Sequence, residues 1–186
     1  MKRVFDVILS FLLLIILSLL FLVIAVLIKL DSKGPVFYKQ ERLGKNGREF
    51  TLYKFRTMIN NIEKVPVLAE KNDYRATKSG KFLRRGLDEL PQLWNILKGD
   101  MSFVGPRAER RYFNNKFTKK FKDWNKRLSV EQGITGLAQI NNASSSEPER
   151  KLKCDLEYIK NKSFLLDIKI LEKTLIILLR NYFRKV

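Results

Sequence analysis

The sequence contains no histidine among its 186 residues. Histidine is the side chain that titrates near neutral pH and the commonest zinc ligand, so a histidine-dependent catalytic triad and a histidine-ligated zinc hydrolase are excluded. Cysteine is almost as scarce: Cys154 is alone, which rules out an internal disulfide and fits a reducing compartment. Acid, base or nucleophilic chemistry must therefore come from carboxylates, hydroxyls, lysine, tyrosine or that one thiol.

Acidic residues are also few. The chain has 19 Asp and Glu against 37 Lys and Arg, which gives a formal net charge of +18. Such a surface attracts polyanions, among them nucleic acid, anionic lipid headgroups and phosphate-rich substrates. The charge does not choose among these partners. The length suits one domain with a modest core.

One long segment, residues 7–28, carries no charge. As a helix it would be about 33 Å long, which is enough to reach across the core of a bilayer. A cleaved signal peptide does not fit, because the run is too long and a lysine and an aspartate in 29–31 stand where small residues should mark the cleavage site. A buried soluble helix is disfavoured because the run is apolar on every face. We therefore predict that residues 1–33 are inserted in a membrane.

The topology of this segment is left open by the sequence. Basic residues flank it on both sides, with Lys2 and Arg3 before it and several lysines shortly after it, whereas a simple crossing collects positive charge on the cytoplasmic side. Two arrangements satisfy the pattern: an ordinary anchor with a short external tail, and a helix that bends and returns to the cytoplasmic face. Ser10 and Ser18 are weak points for a bend, but the run contains no proline or glycine.

Beyond this segment the sequence predicts one α+β domain, mainly α-helical with a β-hairpin, over residues 34–186. Segments 36–43 and 48–58 have the character of strands, and the Asn-Gly dipeptide within 44–47 predicts the turn between them. Residues 60–76 are polar without a clear period, so we interpret them as a linker or mobile loop.

Helical patterns dominate the remainder of the chain. A helix is predicted over 89–97, capped by Asp88 and ended by Gly99. Pro148 with its acidic neighbours predicts another helix start. Residues 164–183 are rich in leucine and isoleucine but carry too many charges for a second membrane span, so we predict an amphipathic or core helix there.

An aromatic stripe with helical spacing lies within 113–128. Its members are Phe113, Phe117, Phe121, Trp124 and Leu128. One interpretation is the core-facing side of an amphipathic helix whose basic side is solvated. The other is an interfacial helix in the headgroup layer, with its aromatics inserted and its lysines on lipid phosphates.

The residues best suited to chemistry are concentrated between 84 and 107. Asp88 and Glu89 are neighbours at a predicted helix N-terminus beside Arg84 and Arg85, and the partial positive charge there favours an ionised carboxylate. An ionised Asp88 could act as a nucleophile or as a Mg²⁺ ligand. The structural alternative is that Asp88 is only a cap and Glu89 only a favourable residue of the first turn.

Other residues could complete a carboxylate, metal and phosphate site. Asp100 follows the predicted helix stop, from which a second carboxylate could return towards Asp88. Arg107 follows a Gly-Pro pair at another predicted helix start, where phosphate binds readily. Lys54 and Arg56 are two apart on a strand, so they project from the same side.

Residues 87–107 resemble the signature of the monotopic bacterial sugar transferases, which begin the assembly of lipid-linked glycans. They read LDELPQLWNILKGDMSFVGPR. Four further landmarks agree with the family in order: GPVFYKQERLG (34–44), YKFRTM (53–58), GITGLAQI (133–140) and SFLLDIKI (163–170). The resemblance covers almost the whole chain, and several motifs in series are far more specific than any one of them.

The resemblance implies an enzyme that moves a phosphosugar from a UDP-sugar to polyprenyl (undecaprenyl) phosphate and releases UMP. Asp88 would attack the β-phosphate to give an aspartyl-phosphosugar, Glu89 would orient the site or assist the acceptor, and Mg²⁺ would bridge Asp88 and the diphosphate. The residues implied to bind substrate phosphate are Arg107, Lys54, Arg56 and Arg85, and Asp100 would support the site.

The same resemblance implies a re-entrant helix in the bilayer, a catalytic domain on the cytoplasmic face of the bacterial inner membrane, and the first membrane step of O-antigen, capsule or glycoprotein glycan assembly. Nucleic acid is not among the implied partners. A homo-oligomer or an association with other glycan-pathway enzymes is left open, as is the sugar. The chain departs from the family at three usual prolines, which are replaced by Leu19, Ala108 and Gln132.

Two other functions are compatible with the residues. A membrane-tethered basic protein could bind nucleic acid or anionic lipid without catalysis, as the charge and the Lys/Phe-rich stripe allow. A phosphoryl-transfer enzyme of another type, such as a metal-dependent phosphatase, could use the same carboxylates. The Asp88→Asn substitution separates catalysis from binding, because only an enzyme that depends on Asp88 stops releasing UMP while it remains folded.

Overall fold

The computed structural model describes residues 1–59, 75–143 and 146–183, so most of the predicted linker 60–76 lies outside the described residues. The predicted α+β class is confirmed. The α-helices are α1 (Lys2–Ile16), α2 (Ser18–Asp31), α3 (Lys78–Leu83), α4 (Gln92–Lys98), α5 (Arg111–Thr118), α6 (Leu137–Ile140), α7 (Pro148–Asn161) and α8 (Phe164–Phe183). The strands are β1 (Phe37–Leu43), β2 (Glu49–Phe55), β3 (Ser102–Val104) and β4 (Gly133–Thr135).

The uncharged N-terminal segment forms two helices rather than one. α1 and α2 are bent by 61° at Leu17, where ψ is 3° instead of the about −42° of an α-helix. Within the described ranges no single helix is long and apolar enough to cross a bilayer, whereas this bent pair together meets that requirement by length and composition. The bend lies next to Ser18, one of the two predicted weak points, and it forms without proline.

Both ends of this helix pair are attached to the rest of the molecule. At the first end, Lys2 forms an ion pair with Asp167 of α8 at 2.5 Å, and Arg3 donates to two carbonyls at the C-terminal end of α4. At the other end, the Asp31 carboxylate accepts hydrogen bonds from the amide and the hydroxyl of Ser79, both at 2.7 Å. Both ends of the helix pair are therefore held by the same domain, and the segment from Phe5 to Leu17 also packs on the main core.

The predicted hairpin is confirmed. β1 and β2 are antiparallel, and Asn46 and Gly47 have positive φ in the turn between them. Phe50 and Leu52 face the main core, as the alternation of the strand requires. Phe55 faces the other way and packs against α2 and α3. The second strand ends there, earlier than predicted.

A second sheet, in which β3 and β4 run parallel, was not predicted from the sequence. Beside it two chain segments approach closely: a Cβ on Gly105 would collide with the carbonyl oxygen of Glu131, and one on Gly133 with the backbone of Gly105. Only glycine fits such contacts. The close approach places Arg107, which follows β3, in a bridge with Gly133 of the Gly-Ile-Thr-Gly motif.

The predicted start of α4 is wrong. Leu87–Glu89 form a 3₁₀ turn, and α4 begins only at Gln92, so Asp88 is not a helix cap. The predicted stop is confirmed, because Gly99 follows α4 with a φ of 95°.

The predicted single helix over 113–128 is also wrong. α5 ends at Thr118, and a separate 3₁₀ helix spans Trp124–Ser129. The ring centroids of Phe117 and Trp124 are 4.6 Å apart, whereas a straight helix would separate the two residues by about 10 Å along its axis. Phe113, Phe117 and Trp124 are buried against α7 and Phe121 is partly buried there, which agrees with the core-facing interpretation for these four residues.

The last two helices agree with the prediction. α7 has Pro148 in its first turn. α8 buries Ile170 in the main core and leaves Leu175 and Leu179 exposed. Its first half thus packs one face on the core, whereas apolar residues of its second half are exposed.

Candidate active site

Asp88 and Glu89 lie in the 3₁₀ turn between α3 and α4. Gly86 precedes this turn with a φ of 119°, which side-chain-bearing residues rarely adopt. The turn contacts β2. Both carboxylates therefore lie beside Lys54, which is close to the end of that strand.

Two cations from distant parts of the chain hold Glu89. Lys54 donates to its Oε1 at 2.6 Å. Arg107 donates to both oxygens, to Oε2 at 3.2 Å and to Oε1 in a shorter contact, which is the bidentate geometry preferred by guanidinium and carboxylate. Burial opposes ionisation, yet the attraction of Arg107 and Lys54 lowers the pKa of Glu89 well below its usual range. Glu89 is thus a fixed anion rather than a group that exchanges protons near neutral pH.

Asp88 is in a different state. Its Oδ2 lies 3.7 Å from Nζ of Lys54, and its side chain is 14% exposed. Burial raises the pKa of Asp88; the charge of Lys54 opposes that rise and the charge of Glu89 adds to it. The cation paired with Asp88 is Lys54, whereas the sequence pointed to Arg84 and Arg85. A carboxylate that is partly desolvated and not locked in a short ion pair is suited to nucleophilic attack.

Three of the predicted site residues make their observed contacts elsewhere. Arg56 is buried and donates to two carbonyls just after α2. The guanidinium of Arg85 lies over the ring of Phe82, 5.6 Å from its centroid. Asp100 pairs with Lys98 at 3.1 Å. The structure brings the other predicted residues together and not these three, whose roles stay predictions.

A row of polar side chains on β1 is a part of the site that sequence reasoning missed. Tyr38 pairs with Lys54 across the hairpin, so both project from one face. Gln40 donates to the hydroxyl of Tyr38 at 2.7 Å and accepts from Arg42 at 2.5 Å. Arg42 also donates to the carbonyl of Ala108 at 2.9 Å, and burial is the main cause that lowers its pKa to about 10. Residues 39 and 41 are polar as well, so no alternation in the sequence distinguished this face of the strand.

The donor set is compatible with Mg²⁺ only in one form. The described residues contain no group of three or more Asp, Glu, Cys or His side chains that could hold a metal ion. Mg²⁺, however, often binds through one or two carboxylates and completes its shell with water and substrate phosphates. Asp88 fits this mode, because its contact with Lys54 is longer than a hydrogen bond, whereas both oxygens of Glu89 are already engaged.

Nearly the whole chain matches a family of known proteins. The model of the bacterial sugar transferase family matches residues 1–181. UDP-glucose:undecaprenyl-phosphate glucose-1-phosphate transferase of Klebsiella pneumoniae is 44% identical over 178 residues, which are 91% of this chain and 38% of that protein. UDP-N-acetylgalactosamine-undecaprenyl-phosphate N-acetylgalactosaminephosphotransferase of Aeromonas hydrophila is 42% identical over 94% of this chain and 42% of its own.

Those two relatives are much longer, and the chain spans about two fifths of their length. A relative of similar length is the uncharacterized sugar transferase EpsL of Bacillus subtilis (strain 168). It is 42% identical over 92% of this chain and 83% of its own length.

Proposed function

Because the chain belongs to the bacterial sugar transferase family, we propose that it transfers a phosphosugar from a UDP-sugar to undecaprenyl phosphate and releases UMP. The observation that carries the proposal is the pairing of a fixed anion, Glu89, with a neighbouring carboxylate, Asp88, that is desolvated but not locked in a short ion pair. The names of the Klebsiella and Aeromonas relatives, both undecaprenyl-phosphate sugar-phosphate transferases, support it. The reaction would be the first membrane step of glycoconjugate assembly.

The proposed reaction has two displacements at one phosphorus. An Oδ of Asp88 attacks the β-phosphorus of the UDP-sugar; the bond from that phosphorus to the bridging oxygen breaks, and UMP leaves with its electron pair. An oxygen of undecaprenyl phosphate then attacks the same phosphorus, and the bond to Asp88 breaks to restore the carboxylate. Covalent catalysis of this kind divides one difficult step into two easier ones.

The neighbouring cations have assigned parts in this proposal. Lys54 stabilises the ionised form of Asp88, since its charge opposes the effect of burial. Arg107 keeps Glu89 in place, and 36% of its side chain is exposed, so we propose that it also contacts a substrate phosphate. Asp88 would hold Mg²⁺, which neutralises phosphate charge when bound.

We further propose that α1 and α2 form a re-entrant element on the cytoplasmic face of the membrane. The support is geometric: Lys2 and Arg3 at one end and Asp31 at the other all contact the same domain, whereas a straight crossing would separate the two ends by the thickness of a bilayer. The basic side of a membrane protein faces the cytoplasm. The bent pair would thus enter and leave the bilayer on that side.

The activity is tested by incubating the membrane-embedded protein with undecaprenyl phosphate, Mg²⁺ and a panel of UDP-sugars, and measuring UMP release. We expect one or a few sugars to support turnover, and a sugar-phosphate adduct on Asp88 to be trapped by mass spectrometry when the acceptor is omitted. Steady UMP formation without acceptor, at an undiminished rate, would favour a hydrolase instead.

The role of Asp88 is tested by the Asp88→Asn variant. We expect it to lose UMP release by at least about a thousandfold while remaining folded and membrane-bound. Asp123→Asn, at a partly exposed aspartate paired with Lys126 on the surface, is the matched control and should keep full activity. Normal turnover by the Asp88 variant would overturn the proposed mechanism.

The topology is tested with Val4→Cys in a Cys154→Ser background. Val4 is 61% exposed on α1. We expect a membrane-impermeant maleimide to label it only after the cells are permeabilised, in the same way as a cysteine at Lys45 in the hairpin turn. Labelling of Val4→Cys from the periplasmic side of intact cells contradicts a re-entrant helix.

A further inference from the structure

A second group of charged side chains lies buried behind Arg107. Arg127 and Asp155 each have 1% of the side chain exposed, and Lys151 and Glu109 have 3% and 6%. Burial of charges costs several kcal/mol for each ion even when they are paired, and well-packed apolar residues are often as stable. This arrangement therefore calls for an explanation other than stability.

The guanidinium of Arg127 is fixed on three sides. Its Nε donates to Oδ2 of Asp155 on α7 at 2.6 Å, and its Cζ lies over the ring of Trp124, 4.5 Å from the ring centroid. Its Nη2 donates to the backbone carbonyl of Arg107 at 3.0 Å. One side chain thus connects α7 to the backbone of a residue that binds Glu89.

A second ion pair from α7 grips the same segment. Lys151 lies one helical turn before Asp155, on the same face of α7, and it donates to the carboxylate of Glu109, two residues after Arg107. On the other side, the amide of Gly133 donates to the carbonyl of Pro106 at 2.9 Å. The backbone that carries Arg107 is therefore held before and after that residue.

We propose that Arg127 and Asp155 are positioning residues for Arg107: the buried pair fixes the Arg107 backbone so that its guanidinium meets Glu89 and the substrate phosphate in one geometry. This inference rests on the proposed function for the reaction it serves. An arginine side chain is long and has many rotamers. A mobile backbone at Arg107 would therefore let its guanidinium occupy a range of positions. A displacement of about 1 Å at a catalytic group can cost about a hundredfold in rate.

The variant that tests the proposal is Arg127→Lys. It keeps a charge for Asp155 but loses the planar fork that reaches the Arg107 carbonyl as well. We expect kcat/KM for the UDP-sugar to fall by about 10- to 100-fold. Lys126→Met, at the exposed neighbour in the same turn, is the matched control and should change kcat/KM less than about twofold.

A double-mutant cycle separates positioning from general stability. If Arg127 acts through Arg107, then Arg127→Lys should cost less than about threefold when Arg107→Lys is already present, because residues of one network are not additive. Additive losses in the double variant would overturn the proposal. Asp155→Asn, which keeps the shape of the side chain and removes its charge, enters the same cycle and decides the matter should Arg127→Lys not fold.

An activity-independent measurement distinguishes this inference from the proposed reaction. We expect hydrogen–deuterium exchange in Arg127→Lys to accelerate at the amides of Gly105 and Gly133, whose hydrogen bonds hold the backbone of residues 105 and 106 just before Arg107, while the amides of α4 keep their protection. Unchanged exchange at both glycines, or equal acceleration throughout the core, contradicts a positioning role. Absence of UMP release from the unmodified protein with every UDP-sugar would overturn only the proposed reaction.

Discussion

The site and the interior behind it contain charged clusters of the same composition, two cations and two anions. The site cluster is Lys54, Asp88, Glu89 and Arg107; the interior cluster is Glu109, Arg127, Lys151 and Asp155. In the interior each carboxylate has an ion-pair partner and all four side chains are buried. In the site both cations converge on Glu89, and Asp88 is left with a longer contact in a partly open position. The same number of charges thus gives two close, buried ion pairs in the interior, whereas in the site it leaves Asp88, the proposed nucleophile, with a longer contact.

We expect the largest effect on stability from removal of a charge in the interior cluster. Lys151→Met leaves the Glu109 carboxylate without its ammonium partner in a buried position, so we expect the free energy of unfolding to fall by about 3–5 kcal/mol. Urea unfolding in detergent micelles measures this change. Adding Glu109→Leu should recover most of the loss, because both charges are then gone. A single variant as stable as the unmodified protein would show that the interior pair does not require matched charges.

In the site, loss of charge should affect activity more than stability. Glu89→Gln keeps the shape of the side chain but removes the anion that holds Arg107. We expect kcat/KM for the UDP-sugar to fall about a hundredfold, which is about 2.7 kcal/mol. Thermal unfolding followed by circular dichroism serves as the control and should show little change. If the melting temperature falls sharply while kcat/KM does not, Glu89 has a structural role like that of the interior cluster.

The contact between Asp88 and Lys54 leads to a prediction about how kcat/KM depends on pH. The Lys54 charge opposes the rise in the pKa of Asp88 that burial causes, so Lys54→Met should raise that pKa further. Asp88 must be ionised to attack, and activity is lost as pH falls through its pKa; the acid limb of the kcat/KM profile should therefore move to higher pH. Lys39→Met, at an exposed lysine on β1, is the control. A limb that stays in place or moves to lower pH argues against Lys54 as the stabilising cation.

The smallest effect is expected where a similar pair lies in solvent. Lys45 and Glu131 form an ion pair at 2.6 Å, with 47% and 42% of their side chains exposed. Lys45→Ala should change the free energy of unfolding by less than about 1 kcal/mol, because exposed pairs gain little. The same urea measurement applies. A loss as large as that of Lys151→Met would remove burial as the explanation of the difference.

Much of the fold could be predicted because it depends on local patterns. The uncharged run at 7–28, the Asn-Gly turn, the glycine stop after α4 and the proline start of α7 each act within a few residues. The parallel pairing of β3 with β4 has no such pattern, since each strand has only three residues and its partner lies far along the chain. The spacing of the aromatic stripe likewise predicted one helix, because local spacing does not show that the chain turns back after α5. That turn brings the rings of Phe117 and Trp124 into contact.

The site was predicted in part. Adjacent Asp88 and Glu89 stood out from the sequence and from the resemblance. Only some of the predicted basic residues lie next to these carboxylates. Lys54 lies beside them as predicted, whereas Arg56 donates to carbonyls after α2. The prediction placed Lys54 and Arg56 on the same side of one strand. Strand β2 ends before Arg56, however, so the side chain of Arg56 does not follow that of Lys54.

The family, the uncharged run at 7–28, the hairpin and the adjacent pair of Asp88 and Glu89 could be recognised from the sequence, because each depends on residues that are neighbours in the chain. The sequence could not give the distinct states of the two carboxylates. Those arise because Lys54 and Arg107, 35 and 18 residues from Glu89, meet at one turn, and because Arg127 and Asp155 fix the backbone behind it. Burial and distance between remote side chains set the pKa of a group, and both exist only once the chain is folded.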